Sequence, residues 1–455
     1  VAPGPFFAEA AGMETKRSFR LIDALLLLFA LLLPVLLLLG GMEGTHARPG
    51  WVFWVLLFLP VLVLPWLLTC CAPQDTANGH RVTAETIQHE NISAASFERL
   101  VEPEIDVQRV YVEKGVAAAE GVLRVDSAQA FSQLERRFGE THVMPLLESV
   151  GNGGVRVLAL PRAMERRDTP RSPAVQIVLF LATVATTVYA GALQRNVNLL
   201  ESPDLFMAGV PFAAALLAML GVHEMGHYIA ARRHGVEVTL PYFIPVPMGL
   251  GTFGAFIQIK SLIKSRRALF DIGIAGPLAG LGVALPALYL GLNSSVALTD
   301  GSPAAGLQTG SSLLLALLYQ SVHGGDLGGA AVRLSPVASA GWVGLFVTAL
   351  NLLPIGQLDG GHIAYGLFGR RAAKTIGVMS IVAMLALGLS VWPGLLTWAL
   401  LVTLLAGFSH LPSLDDVTPP DGKRFVLGAL ALAILVMIVL PVPSGLRMFL
   451  DSPYQ

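Results

Sequence analysis

Long runs of apolar residues dominate the chain, and the polar residues fall in clusters between them. A helix needs about 20 apolar residues to cross a bilayer. Runs of that kind occupy 21–39, 51–71, 173–193, 205–230, 268–292, 337–358, 375–391, 394–411 and 425–441, which predicts about nine spans. Only Trp392-Pro393 separates the seventh run from the eighth, so the count holds to about one either way. Ser312–Tyr319 is too short to cross and is expected at an interface. The pattern changes in residues 72–172. There Arg109–Val125 alternates like two strands around a turn at Gly115, and Ala128–Phe138 has Phe131, Leu134 and Phe138 on one helical face. His142–Leu147 and Val155–Leu160 read as strands around the turn Gly151–Gly154. The predicted fold class is an all-α polytopic membrane protein with a small α+β cytoplasmic domain.

Composition supports this division. Hydrophobic residues make up 54% of the 455 and charged residues 13%, against about 25% charged in a soluble chain. Residues 72–172 hold 27 charges in 101 positions, while the other 354 residues hold 34, so a single water-exposed domain is set within a membrane protein. A net charge of -1 provides no global field for nucleic acid. Cys70 and Cys71 are too few for a disulfide framework or a cysteine zinc site, and read as the end of an apolar helix. The expected domains are an N-terminal extension at 1–20, a two-helix membrane hairpin at 21–71, the soluble domain at 72–172, a membrane core at 173–411, and a last helix and tail at 412–455. Residues 1–12 precede Met13 and read as an upstream extension. The basic flank before 21–39 also suits a signal peptide, but no small-residue cleavage site follows and a second span comes at once, which favours the hairpin.

The Lys/Arg bias of the loops gives the expected orientation. Lys16, Arg17 and Arg20 put the N-terminus in the cytoplasm, and Arg162, Arg166, Arg167 and Arg171 put the soluble domain there too. Arg232, Arg233, Lys260, Lys264, Arg266 and Arg267, then Arg370, Arg371 and Lys374, then Lys423 and Arg424, continue the alternation. The expected location is a multi-pass position in a bacterial inner membrane.

Ionisable residues inside the apolar runs carry the candidate chemistry, because burying them in a bilayer is costly. One run ends in His223-Glu224-Met225-Gly226-His227. Residues four apart share a helix face, so both imidazoles can reach one metal, with Glu224 beside it. A hydrolytic zinc site needs a third protein ligand and an open position. Asp359 is the preferred candidate: it follows the uncharged run Val337–Leu358, is flanked by Gly360 and Gly361, and comes just after the helix-weakening Pro354 and Gly356. His362 and His410 are the alternatives, whereas Asp23 and Asp271 lie near span ends, where capping or snorkelling accounts for them. His223 is nine residues before Arg232, roughly 13 Å along a helix, and Asp359 is eleven before Arg370, so the two motifs sit at similar depth. Zinc held by His223, His227 and Asp359 would activate water, with Glu224 as general base. Asn351, about two turns before Asp359, is a candidate for supporting the substrate or the transition state.

These motifs resemble the site-2 protease family of intramembrane zinc metalloproteases. Asn351-Leu352-Leu353-Pro354-Ile355-Gly356-Gln357-Leu358-Asp359-Gly360 fits the family pattern N-x-x-P-x-x-x-L-D-G at every fixed position, and Gly276-Pro277-Leu278-Ala279-Gly280 is also similar to a family feature. Gly249–Ile259 and Leu334–Ile363 look most like the branch shared by bacteria and chloroplasts, in which a soluble domain precedes the core. Some relatives insert a PDZ domain between the metal motifs, and others append a nucleotide-sensing domain; neither has a clear counterpart here. The resemblance implies zinc as cofactor, a transmembrane protein as substrate and the lipid bilayer as surroundings. Gly276 and Gly280 read as helix-packing positions. Leu250–Ser261 alternates in part and reads as either a strand whose edge could hold an unwound substrate or a connective loop. A membrane cation transporter or channel using the His/Asp cluster is the alternative function; a silent zinc scaffold ranks below it.

Overall fold

The computed structural model describes residues 92–439, apart from 114–115, 152, 163–172, 247–248, 299–306, 309–311, 325–330, 391–395, 397, 401 and 404–411. The expected spans 21–39 and 51–71, the pair Cys70 and Cys71, Asp23, His410 and most of 394–411 lie outside the described residues.

The first described region is a small α+β unit. Helix α1 (Ala94–Val101) leads into β1 (Ile105–Glu113) and β2 (Val116–Leu123), α2 (Ser127–Phe138) follows, and β3 (Val143–Gly151) and β4 (Gly154–Pro161) close it. The strands form one antiparallel sheet in the order β1-β2-β4-β3. Asp126 starts α2 by accepting the Ala128 N–H on its side chain. Phe138 of α2 packs edge-on against Phe97 of α1, and both are fully buried. Register pairs Glu120 with Arg156, and those side chains form an ion pair at 2.6 Å.

The rest is mainly helical. Helix α3 (Ala174–Leu193) is followed by a short 3-10 turn (Pro203–Ala208) and α4 (Val210–Arg233). A hairpin of β5 (Tyr242–Pro245) and β6 (Thr252–Phe256) comes next, then α5 (Arg266–Leu292). Short strands β7 (Val296–Leu298), β8 (Leu307–Gln308) and β9 (Ala331–Arg333) form a sheet in the order β7-β9-β8, with α6 (Leu313–His323) between the last two in sequence. Then come α7 (Pro336–Leu352), α8 (Asp359–Phe368), α9 (Arg370–Ser390) and α10 (Gly422–Val439). Among the described residues, five helices are long and apolar enough to cross a membrane: α3, α4, α5, α9 and α10. The expected run 337–358 is not one continuous helix. It stops at Leu352, because Pro354 cannot extend the ladder and Gly356 takes φ +48°.

Helix α5 is the central post. It is 61% buried over its apolar window, against 22% for α3, α9 and α10, which leaves those three with broad apolar outer faces. Its approach to α7 depends on glycine at both ends of the contact. A Cβ on Gly291 would lie 2.3 Å from the Ala338 nitrogen, and one on Gly341 would lie 2.6 Å from the Leu288 nitrogen. Arg266, buried at the start of α5, donates from Nε to the Gly366 carbonyl (3.2 Å) and from Nη2 to the Leu367 carbonyl (2.7 Å). This cation sits on the C-terminal carbonyls of α8, where the helix dipole favours positive charge. Asp271 does more than cap a span end: its carboxylate receives Nε of Arg424 from α10 at 2.8 Å and approaches His234 Nε2, at the end of α4, to 2.9 Å.

The segment after α9 ties the α+β unit to this core. Leu414 and Asp416 bracket Leu147 of β3, the Leu147 N–H donating to the Leu414 carbonyl (2.7 Å) and the Asp416 N–H to the Leu147 carbonyl (2.9 Å). On its other side the Leu414 and Asp415 N–H groups donate to the carbonyls of Ile263 and Lys264, just before α5. Asp416 is enclosed here, its Oδ1 lacking a hydrogen-bond partner. Burial pushes its carboxyl up from 3.8 to about 6, with Glu148 adding to the rise and Tyr365, Arg370 and Arg266 opposing it. Because the folded value exceeds the unfolded one, the stabilising contribution of this group is full below about 3.8 and is lost as pH rises through about 6. Asp416→Asn is therefore expected to melt higher than the unmodified protein at pH 8, with the gap closing toward pH 4. Melting curves in detergent across that range check this; an unchanged gap contradicts it.

Candidate metal centre

Three elements bring the ionisable residues of the apolar runs together. Helix α4 carries His223, Glu224 and His227, all buried to within 6% exposure. The break after α7 starts α8 at Asp359, so this carboxylate lies in the first turn of a helix, where unpaired N–H groups and the dipole favour an anion. Asn351 lies in the last turn of α7.

The geometry is tight. Asp359 Oδ2 lies 3.3 Å from Nε2 of both His223 and His227, and the two Nε2 atoms are 3.1 Å apart. Nδ1 of His227 faces the Ile272 carbonyl of α5 at 2.7 Å. A neutral His227 that donates from Nδ1 has its lone pair on Nε2. Two ring nitrogens and a carboxylate oxygen thus face one small volume, and Asp359 Oδ2 has no hydrogen bond there. With all three atoms deprotonated, as metal ligands must be, that arrangement is repulsive, and a shared cation would reverse its sign. The spacing fits zinc, since bonds of about 2.0–2.1 Å in a tetrahedron put ligand atoms about 3.3–3.4 Å apart. Two imidazole nitrogens and one carboxylate oxygen are also an ordinary zinc donor set that leaves a fourth position.

Among the described residues, His223, His227 and Asp359 are the one group of three or more such side chains with converging ligand atoms. His362, one turn beyond Asp359, is not in that group, and His410 is outside the described residues. Asn351 Nδ2 is 3.3 Å from His223 Nε2, on the rim of the same volume. The backbone at Ile257, immediately after β6, lies close enough to Glu224 to act on its carboxylate, so the hairpin borders the site. The strand pairing of β5 with β6 sets Tyr242 opposite Phe256 and Phe243 opposite Ala255. Two contributors had no signal in the sequence as catalytic parts. One is the Ile272 carbonyl, a backbone group whose role depends only on where α5 packs. The other is the pair Gly276 and Gly280, which face the histidine rings as well as allowing helix contact.

Residues 211–391 match peptidase family M50. The chain is 35% identical over 291 residues to the probable chloroplastic zinc metalloprotease EGY1 of Arabidopsis thaliana, covering 59% of this chain and 53% of that protein. It is 27% identical over 403 residues to the probable chloroplastic zinc metalloprotease EGY2 of the same plant, covering 84% and 69%. The probable chloroplastic EGY1 of Oryza sativa subsp. japonica is 31% identical over 298 residues, covering 59% and 50%. The chain spans between half and about two thirds of the length of these relatives. The M50 match covers both α4, with the paired histidines, and α8, with Asp359. Residues 211–391 thus carry a domain of peptidase family M50, the site-2 protease family, and through this core the chain is similar to the chloroplastic zinc metalloproteases named above.

Proposed function

We propose that the chain is an intramembrane zinc metalloprotease that hydrolyses peptide bonds in transmembrane segments of other proteins. The observation that carries this is the convergence of His223, His227 and Asp359 within 3.3 Å, beside a buried Glu224, in a bundle of apolar helices. Those three residues would hold zinc, which supplies Lewis-acid polarisation of the scissile carbonyl and activation of water. Glu224 accepts a proton from the attacking water and passes it to the leaving amine. Asn351, with Nδ2 close to the ligand His223, is placed to donate to the oxygen on which negative charge develops. The buried surroundings exclude bulk water, so each of these electrostatic contributions acts at low dielectric.

A helix hides its carbonyls in its own ladder, so a membrane-spanning substrate has to unwind locally before cleavage. The hairpin β5–β6 borders Glu224 through Ile257 and offers extended backbone beside the site. Strand addition along it would hold an unwound segment in register. Of the two readings of Leu250–Ser261, the paired strand is the one this supports.

The basic loops and the α+β unit share one side of the membrane in this proposal, on the strength of the Lys/Arg bias, and cleavage is near that side. The relatives above are chloroplastic proteins, which lends no support to the expected bacterial inner membrane. What carries over to this chain is an integral membrane position, with the basic side corresponding to whichever compartment made the protein.

Glu224→Gln is expected to lower turnover by about 10²–10⁴-fold while zinc content stays at the unmodified level. Turnover of a reconstituted transmembrane peptide and metal analysis of the same sample check this together. Cleavage at the unmodified rate sinks the general-base role. Asn351→Ala is expected to cut kcat by about 10²–10³-fold, again with zinc retained; an equal loss of zinc would make Asn351 a support of the ligand instead.

A further inference from the structure

Glycine in a helix interior costs about 1 kcal/mol relative to alanine, so the glycines of α5 call for a reason. They divide by what a side chain would meet. Gly291 faces the backbone of α7, and Gly282 faces open space. Gly276 is different: a Cβ there would lie 2.0 Å from Nε2 of His227 and 2.4 Å from Cδ2 and Cε1, the two ring carbons beside it. The place a methyl would occupy is taken by the imidazole itself, at the nitrogen that faces Asp359. One turn on, a Cβ at Gly280 would lie 3.0 Å from Nδ1 of His223, a milder conflict. On the opposing helix, Gly226 lies between the two histidines, and a Cβ there would come within 2.6 Å of the Ala275 carbonyl. The two helices therefore meet at backbone distance where the ligands project.

A second observation is independent of the glycines. Nδ1 of His227 is held by the Ile272 carbonyl at 2.7 Å, one turn before Gly276 on the same helix. Pro277 follows directly inside α5, and its missing N–H and its ring loosen this turn. The ring of His227 is thus fixed at one nitrogen and given room at the other by a single turn of α5. Outer groups that orient a ligating imidazole set metal affinity as well as position.

We propose that Gly276 is a positioning residue for the metal ligand His227: its missing side chain, together with the Ile272 carbonyl, lets the ring present Nε2 toward His223 and Asp359. Gly280 does the same, less stringently, for His223. This goes beyond helix packing, and it rests on the zinc reading of the site.

The test uses the full chain in detergent, stripped of metal and titrated with zinc, and with cobalt(II) as a spectroscopic probe of ligand geometry. Gly276→Ala is expected to weaken zinc binding by about 10–100-fold and to change the cobalt d–d spectrum, and Gly280→Ala to produce a smaller loss in the same direction. Gly282→Ala is expected to match the unmodified chain. Gly291→Ala, which strains α5 against α7 away from the metal, is expected to lower the melting temperature of the metal-free protein without altering the cobalt spectrum. Gly276→Ala with unmodified affinity and spectrum overturns the proposal. So does a loss of affinity that merely tracks metal-free melting temperature across all four variants. If Gly276→Ala does not fold, Gly280→Ala decides alone: an unchanged affinity and spectrum overturns the proposal, and a loss with intact melting supports it. An unmodified chain that binds no zinc removes the zinc reading and this inference with it.

Discussion

Two imidazole nitrogens and a carboxylate oxygen brought together inside an apolar bundle form the constraint on which the rest of the structure depends. His223, His227 and Asp359 converge to 3.1–3.3 Å, a distance at which the three repel once all are deprotonated, as metal ligands are. Nothing in a lipid-facing helix bundle would favour that arrangement for packing alone. Each neighbouring element serves to hold it: the break at Pro354 and Gly356 starts α8 at Asp359, Arg266 holds the far end of α8, and the Ile272 carbonyl fixes one ring. A cation held by these three residues would turn the cost of this convergence into a tie between α4 and α8.

Much of the site was legible in the sequence, for a physical reason. Charge is so scarce in the apolar runs that an ionisable residue within one is conspicuous, and the four-residue spacing of His223 and His227 fixes them to one helix face. Asp359 was legible through the glycines and proline around it. The glycines of α5 were only half legible, because a small residue reads the same whether it faces another helix or an imidazole. The Ile272 carbonyl was invisible, since a backbone acceptor has no side-chain signature.

The strands of the α+β unit lie close to where alternation put them: β1 starts earlier, at Ile105, β2 stops two residues short of Val125, β3 runs on to Gly151, and β4 is one residue longer at each end. The span 337–358 was misjudged as a single helix because hydropathy does not register a broken backbone, although Pro354 and Gly356 were in plain view. The joining of Leu147 to Leu414 and Asp416 depends on pairing across more than 260 positions. No local pattern announces such a contact, nor the enclosure of Asp416 that goes with it. Asp271 likewise carries no sequence sign of its partners, because Arg424 and His234 come from other helices.

The central claim is that the three residues make one zinc site. X-ray absorption at the zinc edge, on the purified chain with metal stoichiometry measured on the same sample, tests it most directly. One zinc per chain is expected, with a first shell of two imidazole nitrogens and oxygen at about 2.0–2.1 Å. Zinc well below one per chain after loading, or a first shell without imidazole, would contradict it.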